Sequence, residues 1–269
     1  MTVPLSYLEF HVLFILPPIA FLAWLAIRRE DAWWGRDPLS AVAIVCALAL
    51  VYTTPWDNLL IAEGVWWYGD GAVAATIWHA PLGEYLFFVL QPVLTAFWLF
   101  QWPQIADRSL ALPRSHRVLG ASAGVAVSLF GYLLLSLETQ STIYLGAIFL
   151  WAGPILAIQW GFGLSYLWEV RWTVAIGIAV PTLYLWVADR IAIGLGIWQI
   201  SEVHTIGYDL FGLPIEEAVF FLVTNIFVVQ TVVLYLWLLE RRHELPELVP
   251  VPARFQNSHP TAEVDRDDS

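Results

Sequence analysis

Seven runs of apolar residues, each long enough to cross a bilayer, dominate this 269-residue chain. They fall at 8–27, 39–59, 81–101, 118–137, 142–160, 171–190 and 213–239. About 20 apolar residues rising 1.5 Å each match a hydrocarbon core roughly 30 Å thick. Inside that core every backbone N–H and C=O must find its partner within the protein, which selects helices here. The runs therefore predict an all-α fold, a polytopic membrane bundle of seven transmembrane helices over residues 1–243. Composition agrees, because 59% hydrophobic and 13% charged residues leave too little charge for a soluble domain. Residues 244–269 are polar, proline-containing and acidic at the end, and read as a disordered cytoplasmic tail. The patch Gly161-Phe162-Gly163 and Pro154 predict a kink or interfacial stretch in or after the fifth run.

All 12 basic residues are arginine, and lysine is absent. Arg28, Arg29 and Arg36 follow span 1; Arg108, Arg114 and Arg117 follow span 3; Arg171 opens span 6; Arg241, Arg242, Arg254 and Arg266 follow span 7. Arg190 alone lies on the other side. The positive-inside rule then places the N-terminus outside and the C-terminus in the cytoplasm of a multi-pass cell-membrane protein. Against these stand 23 acids, for a net charge of −11, which disfavours nucleic acid or any other polyanion as a partner. An acid-rich, lysine-poor composition resembles that of proteins from extreme halophiles, here a halophilic archaeon. Without a lysine there is no Schiff base for retinal, so a seven-helix photoreceptor is excluded. Cys46 is the only cysteine; it rules out an intrachain disulfide and a multi-cysteine metal site, and reads as a small buried hydrophobe. No basic region precedes the first run and no clear cleavage site follows it, so it reads as a retained helix.

The chain also repeats itself. Residues 81–91 read PLGEYLFFVLQ and residues 214–224 read PIEEAVFFLVT. Asp57 precedes Pro81 by 24 residues and Asp189 precedes Pro214 by 25. This predicts an internal duplication with halves at about 39–102 and 171–239. Spans 2 and 6 run in the same direction, so both acid sets reach one membrane face, related by an axis along the membrane normal. Helices 4 and 5 link the halves. Glu217, Phe220, Phe221 and Thr224 share a helix face, as do Glu84, Phe87, Phe88 and Gln91; Glu216 lies about 100° around from Glu217. Helix capping by first-turn acids, with lipid-facing phenylalanines, is the plainer reading. Asp57 and Asp189 read either as structural or helix-end groups or as site members. Carboxylates are costly in a membrane, and the whole unit occurs twice, which favours an acid site facing an apolar substrate.

Trp66, Trp67 and Trp198 lie between each Asp and its PxxE partner, where an aromatic face stabilises a desolvated cation by roughly 2 kcal/mol. Trp24, Trp33, Trp34 and Trp237 read as interfacial belt residues. His79 and His204 sit in the repeat connections, within reach of the acids. No HExxH, GxGxxG, P-loop or Ser-His-Asp arrangement is present, so no metal and no cofactor is expected.

PLGEYLFFV and PIEEAVFFL, with the upstream WWY and W, resemble the integral-membrane lycopene beta-cyclase family. That family occurs as a fused chain in archaea, as two small subunits in certain bacteria and as the cyclase domain of fungal fused enzymes. The resemblance is strongest over spans 2–3 and 6–7. It maps an acidic PxEE motif onto Pro214, Glu216 and Glu217, and onto Pro81, Gly83 and Glu84, where Gly83 stands in place of one acid. It implies conversion of lycopene through γ-carotene to β-carotene without redox change, in contact with membrane lipid and with other carotenoid-pathway enzymes nearby. A carboxylic acid protonates C2 of the terminal double bond, the C1 cation is attacked by C5=C6, and a base removes the C6 proton. On this resemblance Glu217 is the proton donor and Glu216 or Glu84 the base or orienter, with Asp189 and Asp57 completing the network. Phe220, Phe221, Phe87, Phe88 and Trp198 shield the cation. Rival readings are a carotenoid hydratase, a prenyltransferase, which would need Asp-rich motifs absent here, and a transporter or quinone-binding subunit.

Overall fold

The structure is a computed structural model that describes residues 3–29, 36–102 and 106–245. Seven of its helices are long and apolar enough to cross a membrane: α1 Tyr7–Arg28, α2 Asp37–Ala62, α3 Leu82–Leu99, α4 Arg114–Ser136, α5 Gln140–Glu169, α6 Arg171–Gly194 and α7 Ile215–Glu240. All seven sequence-derived spans are present, with ends moved by a few residues, except that α5 runs on past 160. The glycine patch does not end that helix. It bends it, at Gly163, whose φ of −152° and ψ of 31° leave the helical range.

Local chemistry explains the first helix. Ser6 and Glu9 form a reciprocal capping box at its start. A π-helical turn follows at His11–Ile15, just before Pro17 and Pro18. Pro18 has no N–H to offer Phe14, and an unpaired carbonyl at membrane depth is costly. The Tyr184 hydroxyl of α6 donates to the Phe14 carbonyl at 2.5 Å instead.

The duplication extends further than two spans. Tyr7 opens α1 and Tyr144 lies in the first turns of α5; both are buried. The Tyr52 hydroxyl of α2 donates to the Trp151 carbonyl of α5 at 2.8 Å, matching Tyr184 and Phe14. Packing follows the same rule: α1 lies on α3 as α5 lies on α7, α2 crosses to α7 as α6 crosses to α3, and α3 meets α7 at the centre. The repeat is therefore α1–α2–α3 and α5–α6–α7, and α4 alone links them. Three spans leave the chain on the opposite face from its start. A fourth must carry it back before a second copy can insert in the same direction. This linking helix packs on α5 with backbones nearly touching: a Cβ on Gly124 would lie 2.1 Å from the Ala157 nitrogen, and one on Gly131 2.2 Å from the Leu150 nitrogen. Small residues at such a contact are how membrane helices gain van der Waals area.

The connections after α2 and α6 carry short strands. β1 Trp66–Tyr68 pairs antiparallel with β4 Trp198–Ile200, Trp67 facing Gln199. That register maps onto itself when the halves are exchanged, so the pseudo-two-fold passes between Trp67 and Gln199. Each half then adds a hairpin, β2 Thr76–Ile77 with β3 Ala80–Pro81 and β5 Asp209–Leu210 with β6 Leu213–Pro214. Trp78 (φ 56°) and Phe211 (φ 55°) occupy the same left-handed position in the two hairpins, an uncommon conformation for bulky residues. Its recurrence is a backbone signature of duplication.

The arginine-rich end is closed by a second core. Trp237 has no exposed surface, stacks on Tyr166 at 4.2 Å and donates its indole N–H to the Arg108 carbonyl. It is thus a core residue and not a belt residue. Trp24 is half-exposed with the Arg28 guanidinium 4.3 Å over its ring, as an interfacial residue would be; Trp33 and Trp34 lie outside the described residues. Glu244 is ordered: its carboxylate accepts from Ser109 Oγ at 2.6 Å and from the Leu110 N–H at 2.8 Å. The rest of the predicted tail, from 246 on, lies outside the described residues. Cys46 is half-buried, its thiol 3.6 Å from the Val89 carbonyl.

Candidate active site

Both acid sets open into one cavity. It holds about 560 Å³ of unfilled space, its mouth included, and Asp57, Glu84, Asp189 and Glu217 all line it. The two Asp come from the last turns of α2 and α6, the two Glu from the first turns of α3 and α7. The β1–β4 ladder contributes to its walls. Side chains alternate across a strand, so Trp66, Trp198 and Ile200 face the cavity while Trp67 points away and is half-exposed. No Lys, Arg or His is among the lining residues.

Each carboxyl is held differently. Tyr68 donates to Glu84 Oε1 at 2.6 Å and itself accepts from Trp66 Nε1 at 3.0 Å. Burial first, and the Glu84 charge second, push the Tyr68 phenol well above its ordinary range, so it stays a donor. In the other half Ile200 stands where Tyr68 does, and Trp198 Nε1 donates directly to Asp189 Oδ1 at 2.8 Å. Tyr144 donates to Glu217 Oε1 at 2.7 Å, and Asp189 and Glu217 line the same cavity. Asp57 Oδ2 and Asp189 Oδ2 are buried with no hydrogen-bond partner among the described residues. Such atoms are costly unless something later engages them.

The remaining wall is aromatic. Trp56 and Phe220 stack at 5.7 Å, tilted by only 6°, and Phe87 meets Phe221 edge-on at 5.9 Å. Beneath them lies a buried polar layer. Asn225 Oδ1 accepts from Thr95 Oγ1 at 2.6 Å and Gln91 Nε2 at 2.8 Å, while its amide donates to Thr182 Oγ1 and the Phe221 carbonyl. It ties α3, α6 and α7 together under the site.

Comparison with known proteins decides the family. Over 237 residues, 88% of this chain and 98% of the relative, the sequence is 47% identical to a lycopene beta-cyclase of Halobacterium salinarum. The chain belongs to the lycopene beta-cyclase family. Bifunctional lycopene cyclase/phytoene synthases of Arthroderma gypseum (33% identical over 84% of the chain and 40% of the relative) and Aspergillus niger (37% over 70% and 33%) match as well. No family model and no solved structure matches. A Halobacterium relative accords with the acid-rich, lysine-free composition.

Within the lycopene beta-cyclase family motif, the two adjacent acids part company. Glu217 faces the cavity. Glu216 is fully buried but turned away, accepting the Ile206 N–H at 2.7 Å; it pins the loop ahead of α7 and does not line the cavity. Phe88 is buried against Tyr85 outside the lining, while Phe87, Phe220 and Phe221 are in it. His79 is exposed, and neither it nor His204 lines the cavity. Sequence reasoning missed Tyr7, Phe10, Trp56 and Tyr144. The available signal was a Tyr near the start of spans 1 and 5, matched once those helices are recognised as repeat members. Among the described residues, no group of three or more His, Cys, Asp or Glu is placed to hold a metal ion.

Proposed function

We propose that this lycopene beta-cyclase closes both β-ionone rings in the carboxylate cavity, with the Asp189–Glu217 pair as the proton donor and Glu84 as the base. The observation that carries this reading is the convergence of four carboxyls from two repeats on one aromatic-walled cavity without a cation. The chemistry needs one neutral carboxylic acid and one carboxylate in the same place. Two carboxyls in one cavity share a proton more readily than they share two negative charges. Glu217 presents that proton to C2 of a ψ end. The cation at C1 is attacked by the C5=C6 bond, and Glu84, oriented by Tyr68, takes the C6 proton. One proton enters and one leaves, so the product is an isomer of lycopene. Trp56, Phe220, Phe87 and Phe221 present π faces to the cation, and the β1–β4 ladder limits water, which would trap the cation as an alcohol. Asp57 completes the network on the Glu84 side. With a single cavity, lycopene passes to γ-carotene and γ-carotene to β-carotene in two successive visits. Membrane lipid surrounds the protein, and other enzymes of carotenoid synthesis are its natural neighbours.

The test is reconstitution of the protein in lipid vesicles with unlabelled lycopene in D2O buffer, and product analysis by chromatography and mass. The expected product is β-carotene carrying one solvent-derived deuterium per ring, at C2. A product heavier by one water would instead select a hydratase. Unchanged lycopene, with the protein confirmed in the membrane, would sink the reading.

The cavity lies at the ends of α2 and α6 opposite the described arginines of the α1–α2, α3–α4 and α5–α6 connections. The positive-inside rule then puts the cavity toward the outer face of the cell membrane and the C-terminus in the cytoplasm. A protease added to intact cells should leave a C-terminal tag uncut and remove it only after lysis. Cleavage in intact cells would reverse the orientation.

A further inference from the structure

A forty-carbon chain is about 30 Å long, so with one end among the acids of the cavity most of the substrate must lie elsewhere. The helices that build the Glu84 and Asp189 walls also build a second hollow farther along their length. It has about 530 Å³ of unfilled space, its open side included, and an apolar lining. Pro18 and Phe21 of α1, Leu94 and Trp98 of α3, and Val180 and Tyr184 of α6 line it. From Glu84 to Leu94, or from Asp189 to Val180, is roughly 15 Å along a helix. A C40 polyene is about as long as the 30 Å hydrocarbon core, so a chain with one end at the acids reaches this groove. Phe10 lines the cavity and stacks on Phe14 at 5.0 Å, and Tyr184 of the groove bonds the Phe14 carbonyl. Cavity and groove thus share the α1–α6 seam.

The pseudo-symmetry supplies a control. The matching place beside α5 and α7 is built differently. There Gln159 stands for Leu22, Phe227 for Leu94 and Thr231 for Trp98. Gln159 Nε2 donates to the Phe227 carbonyl and to Thr231 Oγ1, both at 2.9 Å, and Trp151 packs against Phe227 at 5.2 Å. One half has an open apolar groove there, while the other ties α5 to α7 with polar bonds.

We propose that the α1–α3–α6 groove holds the polyene chain of the carotenoid whose end is in the cavity, and is the lateral path by which substrate reaches the acids from the bilayer. This rests on the cyclase reading above. Both ends of lycopene then use the same path, so the half-cyclised molecule must withdraw and return reversed before its second ring forms.

The test uses the full chain reconstituted in lipid vesicles, with lycopene and a C20 polyene bearing one ψ end, too short to fill the groove. Val180→Trp fills the groove, and Leu48→Trp places the same bulk at the matching position of α2. Val180→Trp should raise KM for lycopene about tenfold, ~1.4 kcal/mol, and leave the C20 compound unaffected. Leu48→Trp should keep KM for lycopene near the unaltered protein's. Unaltered lycopene kinetics in Val180→Trp would overturn the proposal and leave the groove to a lipid acyl chain. Equal losses for both substrates, or in Leu48→Trp, would overturn it too, as a general packing defect. If the unaltered protein converts neither substrate, the cyclase reading falls. The groove would then still be decided by lycopene affinity of the same variants, read from polyene absorbance in detergent: weakened binding in Val180→Trp alone supports it, and equal binding refutes it.

Discussion

Glu217→Gln should lower ring closure by about 10²- to 10⁴-fold, the contribution of a positioned general acid, while Glu216→Gln next to it keeps most of the activity. The amide that replaces the Glu217 carboxyl can still accept the Tyr144 hydroxyl, held at 2.7 Å in the unaltered protein. Shape and packing therefore survive and only the proton is lost. Glu216 has a different task. Its carboxyl accepts the Ile206 N–H and lines no part of the cavity. An amide there retains one acceptor, and the expected cost is about 1 kcal/mol of stability, with turnover preserved. Pigment conversion and thermal unfolding, measured together on both variants, separate the roles. A Glu217→Gln protein that cyclises normally ends the donor assignment. A Glu216→Gln protein that folds but is inactive returns Glu216 to the chemistry.

Trp237→Ala should be the most damaging single change at the arginine-rich end. Trp237 is fully buried, stacked parallel on Tyr166 and bonded through its indole to the Arg108 carbonyl. Truncation leaves a cavity, an unpaired carbonyl and a stranded tyrosine ring, a loss of about 3–5 kcal/mol. For a chain of this size that is roughly a 10 °C fall in Tm. The carboxylate cavity lies at the other end of the bundle, so KM for lycopene should stay unchanged in protein that remains folded. Thermal unfolding in detergent gives the comparison; a fall equivalent to less than about 1 kcal/mol, within the range of ordinary substitutions, would show that this core does not carry the stability assigned to it.

Much of this molecule could be read from one strand of text. Long apolar runs need length and hydropathy alone, so all seven helices were visible. The paired PxxE and upstream Asp were visible because duplication preserves spacing. Alternating direction then brought Asp57, Glu84, Asp189 and Glu217 to one face without any coordinates. The misplacements have equally physical causes. Trp237 suits an interfacial belt by composition, but which way a helix turns its tryptophans depends on its neighbours. Glu216 and Glu217 are equal in sequence and separated by about 100° of helix rotation, and only the position of α5 with Tyr144 decides which one faces the cavity. Trp66 and Trp67 differ by one step on a strand that exists only because the other half of the molecule pairs with it.

The sequence by itself determined the membrane class, the helix count, the matched spacing of the two acid sets and the identity of four acids at one face. Those are properties of local hydrophobicity and spacing, which survive without knowing who packs against whom. Tertiary structure alone decided that the repeat has three helices with α4 as the returning link, and that the two acid sets share one cavity. It also decided that one flank of the pseudo-symmetric pair carries an apolar groove while Gln159 joins α5 to α7 at the matching place of the other. Each of these depends on contacts between residues far apart in the chain, and no periodicity within a segment encodes them.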